Sequence, residues 1–220
     1  MIRCVLTILT LALLGMGGWA RLAEAHPHVW IDATAVLSVN EAGQWTGVTV
    51  TWTFDEFYSQ ASVEGFDEDG DGLPDQAPLD AMFNEALENL REWIYFTDAR
   101  LGDKRLAWGD GATGGASWVD GRLVYRFVLP LAEPVDLVAH AKEISLRLYD
   151  PTFYISILLA EQPNAASLKG APPGCKVTVF EPEGARDMTF DDAIAISEDV
   201  QPGEEGLGFP YAQKIGVQCD

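Results

Sequence analysis

The sequence is short of cysteine, of histidine and of positive charge. Three cysteines and three histidines occur in 220 residues, and 14 Lys and Arg stand against 34 Asp and Glu, a formal net charge of −20. So large a carboxylate excess excludes nucleic acid and anionic membrane surfaces as partners, because both require a positive field. Catalytic signatures are missing too: there is no G-x-S-x-G, no H-E-x-x-H and no phosphate-binding P-loop. Carboxylate pairs assign no acid and base, since a chain this acidic always supplies them. An enzyme is therefore not expected.

Long apolar runs are also lacking, except at the start. Arg3 is followed by VLTILTLALLGMGGWA, which Gly15, Gly17 and Gly18 interrupt and which falls short of the ~20 apolar residues of a confident membrane span. Ala23-Glu24-Ala25 then supplies the A-x-A pattern that a signal peptidase reads. The expected product is a periplasmic chain of residues 26–220, cut after Ala25, with no membrane insertion once the signal peptide (1–25) is gone. Cleavage removes Arg3, Arg21 and Glu24, which takes the formal charge from −20 to −21. It also removes Cys4 and leaves Cys175 with Cys219, a pair expected to form one disulfide in an oxidising compartment. The loop closed, of roughly 45 residues, contributes on the order of 3 to 4 kcal/mol. Two thiolate metal ligands are the competing reading, but the close C-x-x-C spacing of a zinc site is missing.

Hydrophobic periodicity organises the rest. From Val29 to Val39 the odd positions are apolar, the period of a half-buried strand. Asn40-Glu41-Ala42-Gly43 reads as a turn, and Val48, Val50, Trp52 and Phe54 alternate with three threonines in a return strand. Residues 55–63 and 79–93 have helical spacing on either side of an Asp- and Gly-rich loop at 66–78. Further strands are expected at 94–97, around Leu106, and at 116–119, 123–129, 144–148, 153–159 and 176–180. The fold class is mainly β (α+β): one antiparallel β-sandwich-like domain with a helical insertion near residues 55–93. An acidic stretch at 181–208, punctuated by Gly and Pro, precedes a last strand carrying Cys219.

Two segments carry candidate chemistry. If His26 becomes residue one, its α-amine and ring Nδ1 can chelate a single ion, and the amine, with a reference pKa near 7.7 to 8.0, loses its proton readily. Side chains at i and i+2 of an extended chain point the same way, so His26, His28 and Asp32 share one face. Such ligation suits zinc, nickel, cobalt or copper and not magnesium or calcium. Pro27 has no amide N–H, which removes the square-planar amino-terminal mode. His140, in DLVAHAKEIS, would complete a three-histidine site if the fold brought it round, and is otherwise a solvated loop histidine. In FDEDGDGLPD, Asp67, Asp69, Asp71, Gly72 and Asp75 match positions one, three, five, six and nine of the twelve-residue calcium loop, with the Leu73 carbonyl at seven. Pro78 stands where the bidentate glutamate belongs, leaving Asp80 or a water to substitute. A weak structural calcium site and an ion-free turn both remain open.

The stretches HPHVWIDA, TWTFDEFYS, DEDGDG, YFTDARLG, RLYDPTFYISI and APPGCKVTV together resemble a family of uncharacterised bacterial periplasmic proteins described as a periplasmic component of an ABC-type transport system. The resemblance spans essentially all of residues 26–220, and genes of that family often stand beside nickel/cobalt-type metal permeases. It implies an accessory protein that binds a divalent transition metal through its mature N-terminal histidines and serves an inner-membrane metal permease or ABC-type transporter. It transfers to His26, His28 and Asp32, and to Asp150 in YDPTFY. Pro78 departs from the fuller calcium loop often found in that family. Two rival functions stand beside this one: a non-metal interaction domain docking on a membrane transporter, and a copper-dependent oxidative protein.

Overall fold

Alternating burial builds the first hairpin. In a computed structural model, which describes residues 27–182 and 200–220, strand β1 (Val29–Val39) buries its odd-numbered residues and turns the intervening ones outward. Strand β2 (Gln44–Phe54) returns antiparallel, with Ile31 opposite Phe54 and Leu37 opposite Val48. Asn40 shapes the turn, its Oδ1 accepting from the backbone N–H groups of Ala42 and Gln44. Residues 1–25, expected to be a signal peptide, His26 and the acidic stretch between residues 182 and 200 lie outside the described residues.

The insertion is tied to this hairpin by one carboxylate. Asp55 Oδ1 caps helix α1 (Glu56–Ser62) by accepting from Tyr58 N at 2.9 Å, while Oδ2 accepts from Trp30 N at 3.0 Å. Helix α2 (Gln76–Glu92) buries Leu79 and Phe83. The ring of Phe83 meets Tyr125 edge-on at 5.1 Å. A Cβ at position 114 would come within 2.7 Å of that ring and 2.3 Å of the Arg126 carbonyl oxygen, so Gly114 is what lets α2 approach the sheet this closely.

Two sheets follow. The chain continues through β3 (Thr97–Leu101), β4 (Lys104–Arg105), β5 (Thr113–Val119), β6 (Arg122–Asp136), β7 (Ile144–Leu148), β8 (Ile155–Leu159), β9 (Ala166–Lys169), β10 (Cys175–Phe180) and β11 (Lys214–Cys219). The first sheet has the order β5-β6-β2-β1-β8, with β9 also paired to β1, and the second β10-β11-β7-β3-β4. Their inner faces share one core, in which Ile31, Leu37, Trp52 and Phe127 meet Ala99, Leu146 and Ile215. Trp52 packs edge-on against Phe127 at 5.0 Å and stacks with Phe96 at 6.3 Å; burial of each such side chain is worth about 1.5 to 3 kcal/mol. Cys175 and Cys219 face each other across β10 and β11 and form the expected disulfide. Among the described residues no helix is long and apolar enough to cross a membrane.

The mainly β, two-sheet architecture with its helical insertion is the expected one, with four local differences. Pairing is not wholly antiparallel, because β8 and β9 run parallel to β1. Strand β9 itself has no counterpart among the expected strands. Residues 94–96 are not strand: Ile94, Tyr95 and Phe96 have φ of 56°, 55° and 50°, a left-handed turn that costs each residue roughly 1 to 2 kcal/mol while reversing the chain from α2 into β3. Strand β6 runs through Pro130 and Pro134, because the ladder shifts register between Trp45 and Gly47, opposite Pro130.

Two stability tests follow from this packing. Cys175→Ser with Cys219→Ser should lower the unfolding free energy by on the order of 4 kcal/mol in urea titration, since 44 residues separate the cysteines. Burial, reinforced by Asp98, pushes the Tyr149 phenol up to about 12, and burial likewise raises Tyr125. Unfolded phenols ionise near pH 10, so above that pH the unfolded state holds fewer protons than the folded one. The urea midpoint should therefore be steady below about pH 10 and fall as the pH rises from there toward 12.

Candidate metal sites at one end of the first sheet

The chain enters the first sheet at His28, which is exposed and held by its neighbour strand. Its backbone N–H donates to the Tyr154 carbonyl at 2.9 Å, and the two rings lie 4.8 Å apart. Tyr154 belongs to the turn that precedes β8, and Asp150 organises that turn. The Asp150 carboxylate, 3% exposed, accepts from Thr152 N at 2.9 Å, from Thr152 Oγ1 on both oxygens, and from Ile155 N at 3.0 Å. Three donors, two backbone N–H groups and one hydroxyl, converge on this carboxylate. Asp150 thus aligns β8 with β1 through its own turn. The chain returning from residue 200 packs directly on this turn: a Cβ at position 208 would lie 1.9 Å from the Asp150 carbonyl oxygen, so only glycine fits there.

Asp32 and His140, also expected to join His28, lie apart from it. Asp32 shares its face but lies four residues away, about 13 Å along an extended strand, too far for one ion whose ligands sit at about 2 Å. Its Oδ2 accepts from Arg122 Nη2 at 3.0 Å, and Arg122 also donates to the carbonyls of Thr53 and Phe54. His140 follows the far end of β6, where Asp136 pairs with Gln44 and Leu137 N donates to the Gly43 carbonyl. The length of β1, 11 residues or about 33 Å, separates that end from His28. Instead His140 Nδ1 lies 3.5 Å from Glu143 Oε1. The structure thus does not bring His140 to His28.

The aspartate loop does converge. Oxygen atoms of Asp67, Asp69 and Asp71 lie within 4.8 Å of one another, and all three residues are exposed. Local hydrogen bonds produce this shape. Asp67 accepts from Gly70 N and Gly72 N, Asp69 from Asp71 N, and Asp71 from Leu73 N, at 2.8 to 3.1 Å. Asp75 turns toward the loop and accepts from Glu68 N at 2.8 Å. Helix α2 starts at Gln76, which puts Pro78 in its first turn, where the missing N–H is not needed. The calcium-loop spacing has thus given up its twelfth ligand to a helix start. Asp80 is not among the converging carboxylates, and its Oδ1 accepts from Gln76 Nε2 at 2.7 Å. The loop hangs at the same end of the first sheet as His28: α1 follows β2 directly, and Gln60 Nε2 reaches the Gly121 carbonyl in the β5–β6 turn. An apolar groove of about 750 Å³ lined by Phe57, Leu73 and Trp118 runs beside it. No local pattern announces that groove, because its walls come from three separate segments.

These features define a disulfide-closed, two-sheet β protein with a carboxylate loop and an exposed histidine at one end. The chain belongs to the DUF1007 family, described as a protein of unknown function, whose sequence profile matches residues 11–219. An uncharacterized protein of Haemophilus influenzae is 28% identical over 198 residues, 89% of this chain and 92% of that protein. An uncharacterized 15.5 kDa protein in the trpE 3′ region of Spirochaeta aurantia is 30% identical over 116 residues, 53% of this chain and 75% of that protein. No solved structure matches the chain.

Asp150→Ala should destabilise the protein by about 2 to 3 kcal/mol, since it orphans two part-buried N–H groups and a hydroxyl. Hydrogen exchange should quicken first in β8 and at His28. Asp32→Ala, which removes a half-exposed ion pair, should cost about 1 kcal/mol or less in the same urea titration.

Proposed function

We propose that this protein is a periplasmic accessory of a metal transport system, and that it takes up one divalent transition ion through the α-amine and imidazole of His26 together with His28. The observation that carries the reading is the setting of His28, an exposed imidazole fixed at the point where the chain enters the sheet, its backbone and ring both held by Tyr154. A ligand anchored in this way loses little freedom on binding, whereas His26, two residues before, supplies a chelate that needs no fold. The disulfide suits an oxidising compartment, and the net negative charge raises the local concentration of cations. The likeness to proteins encoded beside nickel/cobalt-type permeases supplies the partner: an inner-membrane metal permease or an ABC-type transporter. Affinity order alone favours copper at a nitrogen site, so zinc, nickel, cobalt and copper are ranked by supply in the cell.

A second ion belongs to this reading. The convergence of Asp67, Asp69 and Asp71 supports a weak calcium site that stiffens the link between α1 and α2. Hard oxygen ligands suit calcium, and the nitrogen ligands at the terminus do not.

The precursor, secreted into a bacterial periplasm, should give an intact mass beginning at residue 26. Native mass spectrometry should show one zinc, nickel or copper ion retained, with affinity falling at least about tenfold in His28→Ala. A chain that starts elsewhere, or His28→Ala binding as well as the parent, would overturn the terminal site. Calcium at about a hundred times its Kd should stabilise the parent by about 2.7 kcal/mol and leave Asp69→Asn with Asp71→Asn unmoved. That double variant should keep its transition metal.

A further inference from the structure

The outer face of the second sheet carries two rows of side chains that cross its strands. One row reads Phe180, Lys214, Arg147 and Asp98, and the next Thr178, Gly216, Ser145 and Arg100. Lys214 and Arg147 are therefore direct cross-strand neighbours, a like-charge pairing that destabilises a sheet unless something lies between them. Among the described residues neither has a hydrogen bond or a salt bridge. Asp98, the next residue in the row, is committed elsewhere, since its Oδ2 accepts from Arg100 Nε at 2.8 Å and its Oδ1 from Arg105 Nε at 2.7 Å. Arg100 takes Glu205 as well, at 2.6 Å.

Both unpaired cations are nevertheless held in place. The Arg147 guanidinium lies 4.6 Å from the centre of the Phe209 ring and the Lys214 ammonium 4.7 Å from that of Phe180. Between these two aromatic walls is a groove of about 480 Å³, lined also by Arg100, Ser145 and Gly216. Its floor is low because position 216 has no side chain; a Cβ there would meet the Phe180 ring at 3.0 Å. Burial pushes the Arg147 guanidinium below its ordinary value, a shift that Asp98 opposes and Arg100 adds to. In a chain with 14 cations against 34 carboxylates, a groove lined by Arg100, Lys142, Arg147 and Lys214 against Asp103 and Glu143 holds an excess of positive charge that an anion would neutralise.

We infer that this groove binds a small oxyanion ligand, a molecule whose carboxylate or phosphate group bridges Arg147 and Lys214 and takes a further hydrogen bond from Ser145. The size is that of a small-molecule site, and the aromatic rings at both ends suit a compact ligand. Arginine gives two parallel donors to either headgroup and the ammonium a point charge. The site is on the second sheet, apart from the cation-type sites of the first, and does not depend on them.

The test is calorimetric titration of the full secreted chain, in metal-free buffer, with inorganic phosphate, succinate and citrate. At least one probe should bind, with affinity falling about tenfold in Arg147→Gln or Lys214→Gln and lost in the double variant. The ligand-free melting temperature of each variant should hold or rise, because a repulsion is removed; this shows that the loss is not one of folding. Arg147→Lys, which keeps the charge and gives up the paired donors, should retain weakened binding. Preference for phosphate over the carboxylates, or the reverse, identifies the headgroup within the proposal. Absence of binding by all three probes at about 10 mM, or equal affinity in the parent and the double variant, would overturn it.

Discussion

Strand β1 has no open edge, and this saturation sets the positions of the elements around it. On one side β2 bonds to it along most of its length; on the other, β8 covers Val29 to Ala33 and β9 covers Ala35 to Ser38. Two short parallel strands cannot hold register by their own few bonds, so turns hold it for them. Asp150 fixes the entry to β8 through buried hydrogen bonds, and Ala35 N donating to the Ala165 carbonyl joins the passage to β9. On the opposite side Asp55 holds Trp30 and the first turn of α1 together. One carboxylate from each flank thus fixes the end of β1 where the chain enters, and the orientation of His28 is a consequence.

Charge is segregated between the two sheets. Carboxylates collect on the loop at the entry end of the first, in solvent, where mutual repulsion is screened and a cation can relieve it. Cations collect on the outer face of the second. There the buried Asp98 draws in Arg100 and Arg105, and removing it would leave Arg100 only Glu205 and Arg105 only the Gly203 carbonyl, a larger loss than a surface pair would suffer. Because Asp98 is already used twice, the neighbouring Arg147 and Lys214 are left to the aromatic rings. The net negative charge of the chain therefore coexists with a cluster of cations, Arg100, Lys142, Arg147 and Lys214, around one groove.

What could be read without the structure depended on range. The β1–β2 hairpin, both helices to within a few residues and all of Ile144–Leu148 follow from patterns repeating over a few positions. The carboxylate loop was legible for the same reason: its aspartates fall within nine residues and bond to their own backbone. The left-handed turn at residues 94–96 was not, since Ile94, Tyr95 and Phe96 have the composition of a strand and adopt that turn only because α2 and β3 must both reach the core. Nor was the role of Asp150, whose partners are adjacent in sequence but whose purpose, aligning β8 with a strand more than a hundred residues earlier, is not.

The same limit explains the candidate sites. Period-two alternation correctly puts His28 and Asp32 on one face, yet it also spreads them along a strand, and a shared face is not a shared coordination sphere. A helix would have brought residues four apart together; a strand keeps them separate. Conversely, Lys214 and Arg147 have no relation in the sequence and become neighbours through the β7–β11 register alone. Cross-strand rows are thus invisible to any pattern along the chain, and in this protein such a row brings two cations together.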